Sequence, residues 1–170
     1  MATSAVELTC DLVRLRSVNP PGEESACAAL LGGLLESAGF AVGRYDLSQG
    51  RTNIVAVLKG SGDKEPLCFT GHLDTVPFGA APWQRDPLAA ERDGDKIYGR
   101  GTSDMKSGVA AMVVAALEIA QLSDRATDLI LVFTAGEETG CDGARHLARL
   151  PTCCPRWARC WSASLPAMCR

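Results

Sequence analysis

Residues 128–140 read DLILVFTAGEETG, and this stretch decides the architecture. Leu129 to Phe133 are apolar without interruption, so a strand built from them has no face to offer to water. Such a strand belongs in the middle of a sheet that helices cover on both sides. It ends at Gly136 and delivers two adjacent carboxylates, Glu137 and Glu138. The carboxyl ends of strands are where open α/β sheets place their sites. Two neighbouring carboxylates there repel each other and lose hydration unless a cation compensates them. A solvated charge pair at a strand end is the plainer alternative.

Working outward, Met105–Gln121 sets Val109, Met112, Val113, Ala116, Leu117 and Ala120 on one helical face. Near the start, residues 4–16 space Val6, Leu8, Leu12, Val13 and Leu15 as an amphipathic helix, which SVNPPGEES then breaks. Glu23 and Glu24 suit the first turn of the next helix, Ser25–Ala38, where negative charge meets the positive end of the dipole. Gly39 closes that helix. FAVGRYDL (40–47), NIVAVLKG (53–60) and PLCFTGHLDT (66–75) read as strands. The short turn SGDKEP predicts the last two as an antiparallel pair inside a larger mixed sheet. A long loop spans 77–95, KIYGRG is a short strand entering a glycine turn, and a helix is expected from Glu138 to Leu150. Helix and strand alternate throughout. The expected class is α/β, a three-layer α/β/α sandwich around a mixed sheet.

The bulk numbers narrow the function. With 170 residues the chain holds one domain, and a net charge of -3 leaves no basic patch for nucleic acid and no polybasic anchor for a membrane surface. No apolar run approaches the roughly 20 residues that span a bilayer. MATSAVELTCDLVRLRS has no cationic block followed by an apolar one, so a cytoplasmic enzyme is expected. Cys10, Cys27, Cys68 and Cys141 are scattered and read as small hydrophobes or thiols, while Cys153, Cys154, Cys160 and Cys169 crowd the tail.

Two further segments place chemistry at strand ends. GHLDTVPFG (71–79) sets His72 two residues before Asp74. A metal-ligating imidazole usually donates its other N–H to a carboxylate, and Asp74 is close enough to accept it. Alone, the pair is equally a satisfied histidine at a strand edge. YGRGTSDMKSGVAAM (98–112) sets Asp104 between a glycine-rich turn and a long helix, where it is also a reasonable carboxylate for the helix N-terminus. Jointly, the segments say more. Histidine, aspartate and glutamate form a good zinc ligand set. Two such ions about 3.5–4 Å apart, bridged by a carboxylate, polarise a carbonyl and activate a water. The remaining glutamate is then a candidate general base.

GHLDTVP, YGRGTSDMKSG and the Glu-Glu-Thr-Gly segment, in this order, resemble the di-zinc peptidase and deacylase family of acetylornithine deacetylase, succinyl-diaminopimelate desuccinylase, aminoacylase and glutamate carboxypeptidase. The resemblance runs from about Leu8 to Leu150 and includes RSVNPPGEE and the W-x-x-D-P-L stretch at Trp83–Leu88. It implies hydrolysis of the amide bond of an N-acyl amino acid or small peptide, with two divalent ions, zinc or cobalt. His72 would bind the first ion, Asp104 would bridge both, and Glu138 would bind the second. Asp74 would orient His72 from behind, and Glu137 would be the proton acceptor. The bond after the bridging aspartate, here Asp104–Met105, would be cis. His146 matches no ligand and reads as a surface residue. A metallo-aminopeptidase of related fold is the alternative within the same chemistry.

The resemblance stops short of the whole family pattern. Two further ligands are expected, an acidic residue in a Gly-Glu-Pro-Thr stretch and a histidine near the end of a longer chain. No acidic residue follows Asp142. Residues 1–150 are therefore expected to be the N-terminal part of the catalytic domain, with the family's smaller lid and dimerisation domain absent. Residues 151–170 are expected to be an aberrant tail produced by a frame slip near Pro151. Ser162–Pro166 written TCG-GCG-AGC-CTA-CCN after a tryptophan codon becomes Val-Gly-Glu-Pro-Thr when read one base earlier. Sequencing the gene decides this, because other codons there would not restore Gly-Glu-Pro-Thr. An inactive fragment is the consequent alternative.

Overall fold

The computed structural model describes residues 4–62 and 64–150. Two helices come first, α1 (Ala5–Arg14) and α2 (Ser25–Ser37), followed by strands β1 (Ala41–Ser48), β2 (Arg51–Leu58) and β3 (Lys64–His72). A small separate ribbon, β4 (Glu91–Asp93) with β5 (Lys96–Tyr98), leads to an irregular turn at Thr102–Lys106. Helix α3 (Ser107–Ala120), strand β6 (Thr127–Thr134) and helix α4 (Asp142–Ala148) complete the described chain. No described helix is long and apolar enough to cross a membrane.

The main sheet has the order β1-β2-β6-β3. Strand β6, built from the LILVF run, lies between two neighbours and is buried from Asp128 to Thr134. Leu129, Leu131 and Phe133 face a core shared with Leu8 and Leu12 of α1, Leu31 and Leu35 of α2, and Val109 and Val113 of α3. Ile130 and Val132 face the opposite way, against Val55 and Leu147 of α4. Helices on both faces of a mixed sheet make the three-layer α/β/α sandwich that the uninterrupted apolar run predicts.

One strand pairing differs from expectation. Strands β2 and β3 are not partners, because β6 lies between them, antiparallel to β2 and parallel to β3. The most apolar strand takes the interior, where both backbone edges are bonded and both faces covered, and a short connection in sequence does not outweigh that. The antiparallel hairpin is β1 with β2 instead, turned at Gln49–Gly50 with Gly50 in the left-handed region at φ +77°. Helix α4 also begins later than expected. Residues 136–141 form a turn in which Gly140 and Cys141 N–H both donate to the Glu137 carbonyl, at 2.9 and 3.0 Å, and positive φ angles at Gly140 and Cys141 exclude a helix there.

The parallel register matters most for function. His72 pairs with Thr134, so the ends of β3 and β6 emerge side by side and bring GHLD and GEET to one rim of the sheet. At the other end of the chain α1 is held by a capping box between Ser4 and Glu7. The expected tail from Pro151 onward, with its cysteines and frame slip, lies outside the described residues.

Candidate metal centre

Three side chains from three separate segments converge at that rim. His72 is the last residue of β3, Asp104 lies in the irregular turn before α3, and Glu138 lies in the turn after β6. One ligand atom from each falls within 4.8 Å of the others. Among the described residues this is the one cluster of its kind. The peptide bond Asp104–Met105 is cis, as the resemblance implies.

His72 is 7% exposed and bonded at both ring nitrogens. Nδ1 lies 3.0 Å from the backbone carbonyl of Asp74, and Nε2 lies 3.1 Å from Asp104 Oδ1. A carbonyl only accepts, so Nδ1 carries hydrogen and Nε2 is the atom turned toward the other two ligands. The Asp74 carboxylate is farther from Nδ1, at 3.6 Å. Both the main chain and the side chain of Asp74 therefore face the Nδ1 side of the ring, the carbonyl at hydrogen-bond distance and the carboxylate just behind it.

That side chain is fully buried and tied to three donors. Its Oδ1 accepts from Glu137 N–H at 3.0 Å, and its Oδ2 from Glu138 N–H at 3.1 Å and Asn19 Nδ2 at 2.8 Å. Asn19 also donates to Thr139 Oγ1 at 3.0 Å. Asp74 therefore fastens the histidine segment to the glutamate turn, and Asn19 fastens both to the N-terminal RSVNPPGEE segment. The sequence signal for Asn19 lay in that segment, which carried the resemblance without a stated role.

Asp104 is held differently. Its side chain is 76% exposed and its described partner is His72. Its turn is anchored by neighbours: Met105 Sδ accepts from His72 N–H at 3.4 Å, and Lys106 reaches into the core. Lys106 is 2% exposed, and Nζ donates to the carbonyls of Leu12 and Leu15 at 2.8 Å each, satisfying the end of α1. Burial pushes the Lys106 pKa down, partly offset by Cys27.

The charges favour a cation. Burial raises the Glu138 pKa, Asp104, Asp74 and Glu137 raise it further, and His72 opposes them. Burial works against the His72 imidazolium, yet hydrogen bonding to Asp74 and that residue's charge, with a share from Asp104, outweigh it and lift the pKa to about 9. Burial likewise works against the Asp74 anion, and His72, Asn19 and the Glu137 and Glu138 N–H groups outweigh it, holding the pKa at about 2. In the metal-free protein the proton on Nε2 therefore compensates the carboxylates. An imidazole nitrogen with two carboxylates suits zinc and similar divalent ions, which would take that proton's place.

Glu137 is exposed and stands outside the three-atom cluster, with Cys141 Sγ 3.8 Å from its Oε1. His146, expected at the surface, is half-buried on α4 beside Arg51 and Arg149 and takes no part in the cluster.

Known proteins share this arrangement of elements. The model of peptidase family M20/M25/M40 matches residues 68–160, more than half of the chain. Succinyl-diaminopimelate desuccinylase 2 of Ruegeria sp. is 42% identical over 151 residues, which cover 87% of this chain and 37% of that protein. The succinyl-diaminopimelate desuccinylase of Dinoroseobacter shibae is 42% identical over 137 residues, covering 80% of this chain and 35% of that one. Human carnosine dipeptidase 1 superposes with a TM-score of 0.71 at 25% identity, over 85% of this chain and 34% of its own. The M20 family metallo-carboxypeptidase Sso-CP2 of Sulfolobus solfataricus has the same fold, with a TM-score of 0.71 at 23% identity, over 81% of this chain and 32% of its own. The chain thus spans little more than a third of the length of the curated relatives it matches.

Proposed function

This chain belongs to peptidase family M20/M25/M40, and on that premise we propose that residues 1–150 are the N-terminal part of the catalytic domain of a metal-dependent hydrolase that cleaves the amide bond of N-acyl amino acids or small peptides. The observation that carries the proposal is the convergence of His72, Asp104 and Glu138 within 4.8 Å. Two divalent ions, zinc or cobalt, would supply Lewis-acid polarisation of the substrate carbonyl and activation of a water.

The residues then divide the work. His72, with Nδ1–H on the Asp74 carbonyl, offers the Nε2 lone pair to one ion. Asp104 and Glu138 would complete the set that holds the ions, Asp104 with both carboxylate oxygens available and Glu138 from the turn after β6. Glu137, exposed beside them, takes a proton from the attacking water as its oxygen adds to the carbonyl carbon. It returns that proton to the nitrogen as the C–N bond breaks, so acid and amine leave with atoms balanced. N-acyl amino acids are favoured as substrates because the relatives at 42% identity are succinyl-diaminopimelate desuccinylases. A small-molecule substrate, a cytoplasmic setting and pairing through a further domain belong to the same proposal.

A second reading has its own observation. Three ligating side chains converge among the described residues, where the family resemblance calls for five, and metal affinity depends on ligand count. A chain that keeps the fold without turnover is the consequence. Cobalt titration followed by assay on a panel of N-acetyl and N-succinyl amino acids separates the two. Turnover that is lost in Glu137→Gln supports the enzyme, cobalt binding without turnover supports the inactive reading, and absence of cobalt binding overturns both roles for the cluster.

A further inference from the structure

Four consecutive backbone N–H groups at the end of β6 each donate to a buried side-chain oxygen. Ala135 donates to Asn53 Oδ1 at 3.0 Å and Gly136 to Glu24 Oε1 at 3.2 Å. Glu137 and Glu138 follow on the two Asp74 oxygens, at 3.0 and 3.1 Å. The acceptors come from β2, from the residue before α2, and from the segment after β3. Backbone donors just past a strand have lost their ladder partners, and buried ones must find others. Here each is met by a side chain that long-range folding delivers.

Glu24 was expected to complement the α2 dipole, and it does something else. It makes no side-chain cap bond to that helix and is 0% exposed. Its Oε1 accepts from Arg51 Nη2 at 2.9 Å as well as from Gly136, and its Oε2 accepts from Arg51 Nε at 3.2 Å. Arg51, whose side chain is 13% exposed, thus seats the carboxylate. Gly136 holds φ +68°, and a Cβ at this position would press on the same guanidinium. Asn53 is also fully buried and is oriented by donating from Nδ2 to the Tyr45 carbonyl at 2.9 Å.

We infer that Glu24, seated by Arg51, is a positioning residue: by accepting the Gly136 N–H it sets the turn that presents Glu137 and Glu138. The inference rests on the metal-centre assignment above and deepens it. Asp74 fixes the far end of the turn and Glu24 the near end, so the peptide planes from 136 to 138 are held at both sides. The Glu137 and Glu138 carboxylates are left without backbone duties. A buried, unpaired Gly136 N–H would draw the turn out of place and carry Glu138 away from His72 and Asp104.

Reach, not charge, is the property at stake, and two small substitutions separate them. Glu24→Asp keeps the charge for Arg51 and is one methylene too short for Gly136. Glu24→Gln keeps an oxygen at full reach and loses the charge. Amide hydrogen exchange is measured on the full chain without metal, and cobalt is then titrated while its visible absorption is followed. The aspartate variant is expected to speed exchange at Gly136, Glu137 and Glu138 about tenfold or more, with amides at 129–133 unchanged, and to weaken cobalt binding about tenfold. The glutamine variant is expected to stay within about threefold of the parent in both readouts. Turn exchange that is unaltered in Glu24→Asp, or equally fast in Glu24→Gln, overturns the inference. Should the parent bind no cobalt, the metal-centre assignment falls by itself, and exchange at 136–138 still decides the role of Glu24.

Discussion

Asp74 and Asp104 stand on either side of the same imidazole and are held in opposite ways. Asp74 is fully buried, and its carboxylate takes hydrogen bonds from Asn19, Glu137 and Glu138. Asp104 projects a side chain that is 76% exposed, with His72 as its described partner. A carboxylate whose lone pairs are spent on backbone and amide donors is built into the scaffold. One that keeps its oxygens toward solvent has them available for a cation. The difference divides the acidic residues of the site into those that hold and those that bind, which residue type alone does not do.

The largest expected consequence is in stability. In chelator, Asp74→Ala should cost about 3–5 kcal/mol by urea unfolding, because it removes the buried carboxylate beside His72 and takes the acceptor from the Glu137 and Glu138 N–H groups. Asp104→Ala should cost under about 1 kcal/mol. Equal losses would erase the distinction. The next effect is pH dependence in the metal-free protein. His72 moves from an ordinary 6.5 to about 9, so its contribution is fully present below about 6.5 and is lost as pH climbs through about 9. The amount is roughly 3 kcal/mol. Asp74→Asn should flatten this stretch of the pH profile while Asp104→Asn leaves most of it, since Asp74 is the stronger partner. A profile that depends on Asp104 instead would reverse the assignment.

Binding should show the opposite ranking. At free zinc of about 100 Kd the parent should gain about 2.7 kcal/mol in unfolding free energy, and Asp104→Ala should gain almost nothing. Zinc stabilisation that survives Asp104→Ala would mean that the ion sits elsewhere.

How much of this the sequence disclosed depends on the kind of residue. The LILVF run carried its own destination, since a strand with no polar face has one comfortable place in a sheet, and β6 occupies it. His72, Asp104 and Glu138 were legible from residue type and local glycine turns, and they do converge. The partner of β3 was not legible, because pairing with β6 spans more than fifty residues and nothing local to SGDKEP announces it. The work of Asn19, Glu24 and Lys106 was hidden for a related reason. A polar residue near a proline turn or a helix start reads as solvated, and its burial is fixed by elements that arrive from far along the chain.

Lys106 gives the finest test of the comparison, because it is the means by which the exposed arm is held at all. Among the described residues Asp104 has no donor beyond His72, so the position of its turn depends on the Lys106 ammonium gripping the Leu12 and Leu15 carbonyls. Lys106→Met keeps the apolar stem and fills the same channel. It takes a donor from two helix-end carbonyls, of which that of Leu12 keeps the Leu15 N–H at 3.2 Å, and it also removes a buried charge that burial already disfavours. These effects oppose each other, so the stability loss should be only about 1 kcal/mol. Zinc affinity should nevertheless fall about tenfold, since the turn that offers the Asp104 carboxylate loses its anchor. An affinity unchanged from the parent would show that Met105 and the glycines place Asp104 without Lys106, and the exposed arm would then be as self-sufficient as the buried one.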